Sequence, residues 1–159
     1  MPSRRPLAVR LLVASRPLSW VNTAYPFAAA YLLGGGDVDA ALLVGAAFFL
    51  VPYNLAMYGI NDVFDHASDI LNPRKGGVEG ALLDPSEHRS VLLWAVLSCA
   101  PFVVALVVLG SPAATAVLAV SLFAVVAYSA PRLRFKEIPV LDSVTSSTHF
   151  VSPAVYGLV

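Results

Sequence analysis

Charge is what this sequence has least of. Asp, Glu, Lys and Arg make up 13% of its 159 residues, against roughly 25% in an ordinary soluble domain. With 58% apolar residues and a mean hydropathy of +0.76, a water-soluble fold is excluded and a membrane chain is indicated. Cysteine is nearly absent. Cys99 stands alone, which rules out an internal disulfide framework, and its apolar surroundings mark it as a small packing residue. The three histidines, His66, His88 and His149, are scattered, and no Ser or Cys stands beside one in a nucleophile motif. The basic residues flank apolar runs and accompany no recognition fold, so nucleic acid is not a partner. No small-residue cleavage site followed by a soluble domain succeeds the first apolar run, which argues against a signal peptide.

What is abundant is apolar sequence in long runs. A spanning helix needs about 20 residues. The runs are Pro17–Leu33, Ala40 to about Ile60, Val91–Leu109 and Ala113–Tyr128, with a fifth starting near Leu141. Pro26 predicts a kink near Asn22 in the first, and Pro101 lies inside the third. The turn-rich breaks GGGDVD (34–39) and GSP (110–112) are short, so runs one and two form a hairpin, as do three and four. Trp20 and Trp94 read as interfacial or packing residues.

The two short breaks hold no Lys or Arg. All ten basic residues fall on the other side: Arg4, Arg5, Arg10 and Arg16 before the first run, Arg74, Lys75 and Arg89 between the second and third, and Arg132, Arg134 and Lys136 after the fourth. The positive-inside rule makes that face cytoplasmic. The expected fold is an all-α, polytopic transmembrane bundle of about four to five helices in a cell membrane.

The long connection between Asn61 and Arg89 lies on the same face, and it opens with NDVFDHASD, residues 61–69. Asn61, Asp65 and Asp69 are spaced i, i+4, i+8, so a helix continuing through them places all three on one face, with Asp62 at its flank. Clustered carboxylates at a helix C-terminus are unfavourable by themselves. A divalent cation relieves them, and carboxylates plus one amide suit Mg²⁺, which keeps several waters and shares its shell with a phosphate. The same acids also fit a solvated helix end paired with Arg74, Lys75 and Arg89. A second cluster, YSAPRLRFKE, brings Tyr128, Arg132, Arg134 and Lys136 to the same membrane edge. Next to a metal-binding acidic face these cations make a diphosphate site; alone, they equally fit positive-inside anchoring. His66 sits among the acids as an accessory residue.

NDVFDHASD resembles the NDxxDxxxD motif of the UbiA superfamily of intramembrane aromatic and isoprenoid prenyltransferases, and YSAPRLRFKE is similar to that family's segment after its fourth helix. SRPLSWVNTAYPFAAAYLL, NPRKGGVEGALL and LDSVTSSTHFVSPAVYG look like the carotenoid-acting branch, the lycopene elongases. The resemblance covers essentially the whole chain. It implies a nine-helix bundle with two aspartate motifs, and Mg²⁺-dependent transfer of a prenyl group from an allylic diphosphate to a lipophilic acceptor held among membrane lipid, such as lycopene. It implies that Asn61, Asp65 and Asp69 act in catalysis and hold the metal with Asp62, that Tyr128, Arg132, Arg134 and Lys136 meet the diphosphate, and that Arg16 lines the same cavity. The second aspartate motif of the family does not occur up to Val159, since Asp142 is followed at i+4 by Ser146. Residues 1–159 therefore read as an N-terminal half that needs a C-terminal half. Two other readings stay open: a non-enzymatic membrane fragment or subunit with a divalent-cation site, and a small helical interaction subunit.

Overall fold

The computed structural model describes residues 6–73, 75 and 82–159. Arg4, Arg5, Arg74 and most of the NPRKGGVEGALL segment lie outside the described residues. The elements are α1 (Leu7–Ala14), α2 (Val21–Leu33), α3 (Ala40–Leu50), α4 (Pro52–Phe64), α5 (His66–Asp69), α6 (His88–Leu109), α7 (Pro112–Ser129) and α8 (Pro139–Leu158); among the described residues there is no strand. Three segments are long and apolar enough to cross a membrane: Ala40–Phe64, Pro85–Leu109 and Pro112–Ser129. The helical membrane bundle expected from the sequence is therefore observed.

Several boundaries differ from expectation, each for a local reason. The first run becomes a short 3₁₀ turn, Pro17–Ser19, followed by α2, because Arg16 takes a left-handed conformation with φ 51°. The second run breaks at Val51, since Pro52 has no N–H to continue the ladder of α3. The carbonyls freed there are satisfied from within the bundle. Asn54 donates to Phe49 O at 2.8 Å and Leu50 O at 3.1 Å, and Thr23 donates to Phe49 O at 2.7 Å. Helix α1 had no counterpart in the sequence reading. Its Leu11 packs on Val63, Leu83 and Val91, and an Arg10–Glu87 ion pair ties it to the start of α6.

The turns are closed by side chains. Asp39 accepts from Leu42 N at 3.0 Å and caps α3. That bond, then the Tyr31 hydroxyl, holds the Asp39 carboxyl below its usual range. Ser111 caps α7 in the same way, with Pro112 at the first helical position.

Helix α8 packs between α2 and α7, while α4 lies against α6 and α7. Phe27, Phe48, Phe49 and Tyr53 are fully buried and form the centre, with the Phe48 and Phe49 rings 4.9 Å apart. The outward face of α6, including Trp94, Val96, Val104 and Val108, is exposed, as a lipid-facing surface requires. Gly157 lets α8 lie directly on α2: a Cβ there would stand 2.7 Å from Phe27 O and 2.9 Å from Tyr31 N. Backbone atoms cannot turn aside as a side chain can. Gly157→Ala should therefore cost about 1–3 kcal/mol and lower the thermal midpoint in detergent; an unchanged midpoint would show that the two helices separate freely.

Candidate functional site

The end of α4 positions the acids. The helix stops at Asp65, whose φ of −99° and ψ of 2° leave helical geometry, and α5 restarts at His66. The i, i+4, i+8 face is therefore broken rather than continuous. Asp62 is 1% exposed, and Asp65 and Asp69 are each 9% exposed. These are buried carboxylates rather than a solvated helix end.

Each is met by cations. Arg16 Nη2 and Lys75 Nζ both reach Asp62 Oδ1 at 2.8 Å. Lys75 Nζ also reaches Asp69 Oδ2 at 2.7 Å, bridging the two acids. Asp65 pairs with Lys136, has Arg134 Nη2 at 3.7 Å, and accepts from Asn61 Nδ2 at 2.7 Å. Asn61 donates also to Ser129 Oγ at 2.9 Å, which links the end of α4 to the end of α7. Of the residues expected from the sequence, Asn61, Asp62, Asp65, Asp69, Arg16, Arg134 and Lys136 thus come together. Arg132 does not: it is exposed and forms no ion pair among the described residues. Tyr128 lies deeper, its ring 5.2 Å from that of His149.

Three non-glycine residues among those described have positive φ, and all are arginines: Arg16 (51°) and Arg134 (42°) in the cluster, and exposed Arg132 (74°) beside Arg134. The left-handed region costs an L-residue roughly 1–2 kcal/mol. Such strain persists where surrounding contacts hold it, and it concentrates at functional sites. Here the contacts are the Asp62 pair, the Asp65 pair and, for Arg134, a 2.5 Å bond to Glu137.

Below the acids lies a cavity of about 200 Å³, lined among others by Arg16, Tyr58, Asn61, Tyr128, Ser146 and His149. Arg16 and Asn61 belong to both the cavity wall and the acidic cluster, so the two are continuous. Arg16 also lies 4.2 Å above the Tyr58 ring, a favourable cation–π placement.

A divalent cation fits this donor set in part. Among the described residues no three of His, Cys, Asp and Glu converge as a ready metal cage. Asp62 and Asp69 nevertheless converge on one positive point, now held by the Lys75 ammonium. Buried Asp62 Oδ2 has no hydrogen-bond donor. Two carboxylates with a spare oxygen suit a hard cation that completes its shell with water and phosphate. Lys75 was one of the three basic residues that the sequence offered as partners for these acids, and it does pair with Asp62 and Asp69. Ser129, Tyr58 and His149 were not singled out from sequence, and nothing in the sequence placed them beside the motif.

Known proteins resemble the chain over most of its length. The profile of the UbiA prenyltransferase family matches residues 23–159. A lycopene elongase/hydratase of Corynebacterium glutamicum is 60% identical over 148 residues, covering 92% of this chain and 51% of the relative. The C(50) beta-cyclic carotenoids biosynthesis protein LbtBC of Dietzia sp. is 57% identical over 98% of this chain and 36% of its own length. A lycopene elongase/hydratase of Halobacterium salinarum is 38% identical over 91% of this chain and 52% of its own length. The chain thus spans about half the length, or less, of the curated relatives it matches. No solved structure matches it significantly. Helical bundle, aspartate motif and extended similarity agree, and the chain belongs to the UbiA prenyltransferase family.

Proposed function

We propose that residues 1–159 are the N-terminal half of an Mg²⁺-dependent enzyme that transfers a prenyl group from an allylic diphosphate to a carotenoid such as lycopene. The observation that carries this reading is the continuity of the buried carboxylate–cation cluster with the cavity beneath it. Such a site holds a charged headgroup at the membrane edge and the carbon chain attached to it in the adjoining cavity, beside Met57 and Phe150. The relatives named for lycopene elongation support the acceptor class.

Asp62 and Asp69, with Asn61 and Asp65 beside them, would hold the metal. When bound, Mg²⁺ supplies positive charge that stabilises a departing diphosphate. The chain's own cations do comparable work. Arg134 and Lys136 now neutralise Asp65. A diphosphate carries more charge than one carboxylate, so both would turn to it as it enters and meet the charge that develops when the C–O bond breaks. Arg132, exposed at the rim, is placed to attract the anion. Arg16 stays on Asp62 and forms part of the cavity wall. The acceptor's π electrons then form the new C–C bond, while Met57, Tyr58 and Phe150 in the cavity wall shield the cation from bulk water.

This half coexpressed in a lycopene-producing host with a C-terminal half carrying a DxxxD motif should yield carotenoids longer by one or two prenyl units; alone it should yield little or none. Full activity from 1–159 alone would refute the half-enzyme assignment. Absence of product with the verified whole-length enzyme on any carotenoid or quinone precursor would count against prenyl transfer.

We assign the site to the cytoplasmic face of the cell membrane, because the two short breaks on the other side, 34–39 and 110–112, hold no Lys or Arg in the sequence. Cysteines introduced at Asp37 and Leu133, both exposed, should differ. Only the first should react with an impermeant maleimide added to intact cells; equal labelling would defeat the orientation.

A further inference from the structure

Prenyl transfer leaves a proton to be removed. Once the acceptor double bond has attacked the allylic carbon, the acceptor is a carbocation. It ends either by losing a proton from a neighbouring carbon or by adding water, whose oxygen then sheds a proton. Both routes need a base inside the cavity. Asp62, Asp65 and Asp69 are engaged by cations at the headgroup, Asp142 is not among the residues that line the cavity, and the phenols of Tyr58 and Tyr128 are weak bases.

His149 meets the requirement. It is 4% exposed and lines the cavity that contains Arg16 and Asn61. Its Nε2 has no hydrogen-bond partner, although buried polar atoms are nearly always paired. A neutral imidazole carries its proton on one ring nitrogen and a lone pair on the other, and Nε2, with no partner to hold a proton, is open to carry the lone pair. The ring is held edge-on to Tyr128 with centroids 5.2 Å apart. Its backbone is pinned as well, since Tyr53 Oη donates to His149 O at 3.2 Å. Ser121 then donates to Tyr53 Oη at 2.9 Å, and Ser152 to Ser121 Oγ at 2.7 Å. Three helices, α4, α7 and α8, thus fix an imidazole whose free nitrogen has no structural duty.

We propose that His149 Nε2 is the base that ends the reaction. The C–O bond of the allylic diphosphate breaks with its electron pair leaving on diphosphate. The acceptor's π pair forms the C–C bond. His149 Nε2 then takes a proton, either from the carbon next to the acceptor cation, whose C–H pair becomes the new double bond, or from the water whose oxygen has bonded to that cation. The imidazolium returns the proton to water after product leaves. This assignment rests on the prenyl-transfer reading above.

The test uses the whole-length enzyme with this chain as its first half, in lycopene-containing vesicles with an allylic diphosphate and Mg²⁺. Diphosphate release and carotenoid products are measured in parallel for wild type, His149→Asn and His149→Gln. Both substitutions keep the backbone carbonyl that Tyr53 needs. Diphosphate release should stay within about twofold, because the headgroup site is intact. Elongated carotenoid per diphosphate released should fall by about a hundredfold, the scale of a lost general base: the adduct cation that keeps its proton breaks the new C–C bond again, and water captures the released allylic cation as free prenyl alcohol. An unchanged product ratio in both variants would overturn the role of His149. An equal fall in release and product would also overturn it, since that is what a merely structural residue would give. A wild-type enzyme that releases no diphosphate would overturn the prenyl-transfer reading itself, and this assignment with it.

Discussion

Asp65→Asn should reduce prenyl transfer by the whole-length enzyme by about 10²–10³-fold, the usual cost of removing one preorganised electrostatic group from a reacting centre. The amide keeps the shape of the carboxyl and its contact with Asn61 Nδ2, so the fold survives. What disappears is the negative charge that holds Lys136 and Arg134 in place and helps to hold the metal. The sign of the binding effect follows. Without Asp65, Lys136 loses its carboxylate and Arg134 keeps only the exposed Glu137, so an allylic diphosphate analogue retains some affinity in EDTA. Its gain from Mg²⁺ should shrink sharply. Asp37→Asn, in the exposed loop between α2 and α3, should change neither quantity. Isothermal titration of the analogue with and without Mg²⁺ measures both. Binding that survives EDTA and the Asp65 change without loss would place the headgroup elsewhere.

Much of this arrangement could be read from the chain, and the unread parts share a cause. Apolar run length located α6 and α7 to within a few residues, because long spans are set by hydropathy. The break at Pro52 was invisible to hydropathy, since proline interrupts hydrogen bonding without making a run less apolar. The aspartate motif was legible because its acids stand where acids are costly. Which cation meets which acid was not, because Lys75 reaches Asp62 and Asp69 through a loop whose path the sequence does not encode locally. The left-handed arginines were equally hidden: glycine and asparagine are the sequence signals for positive φ, and Arg16 and Arg134 are held there by tertiary ion pairs. His149 looked like an isolated histidine in an apolar run. Only the packing of α8 between α2 and α7 brings it to the cavity below Asn61.

Asp62→Ala should be the most destabilising change at the site. Asp62 is 1% exposed and is the only carboxylate within salt-bridge reach of Arg16 among the described residues. Removing it strands the guanidinium in a partly buried setting and leaves Lys75 with Asp69 alone. Breaking a buried pair from one side costs about 3–5 kcal/mol. The lower end applies here, because Arg16 retains the Tyr58 ring and 20% of its side-chain surface. The strain at Arg16 separates charge from backbone. Its φ of 51° suits glycine, so Arg16→Gly should be more stable than Arg16→Ala by about 1 kcal/mol, although both lose the ion pair. In the Asp62→Ala background Arg16 is a liability, and Arg16→Gly should then recover part of the lost stability. Denaturant unfolding in mild detergent of the two single variants and the double variant gives the coupling. A double-variant loss smaller than the sum of the single losses by more than about 0.5 kcal/mol shows that the residues act as a pair. Strict additivity would mean that Arg16 is held in its left-handed turn by the chain around it, with Asp62 buried for the sake of Lys75 alone.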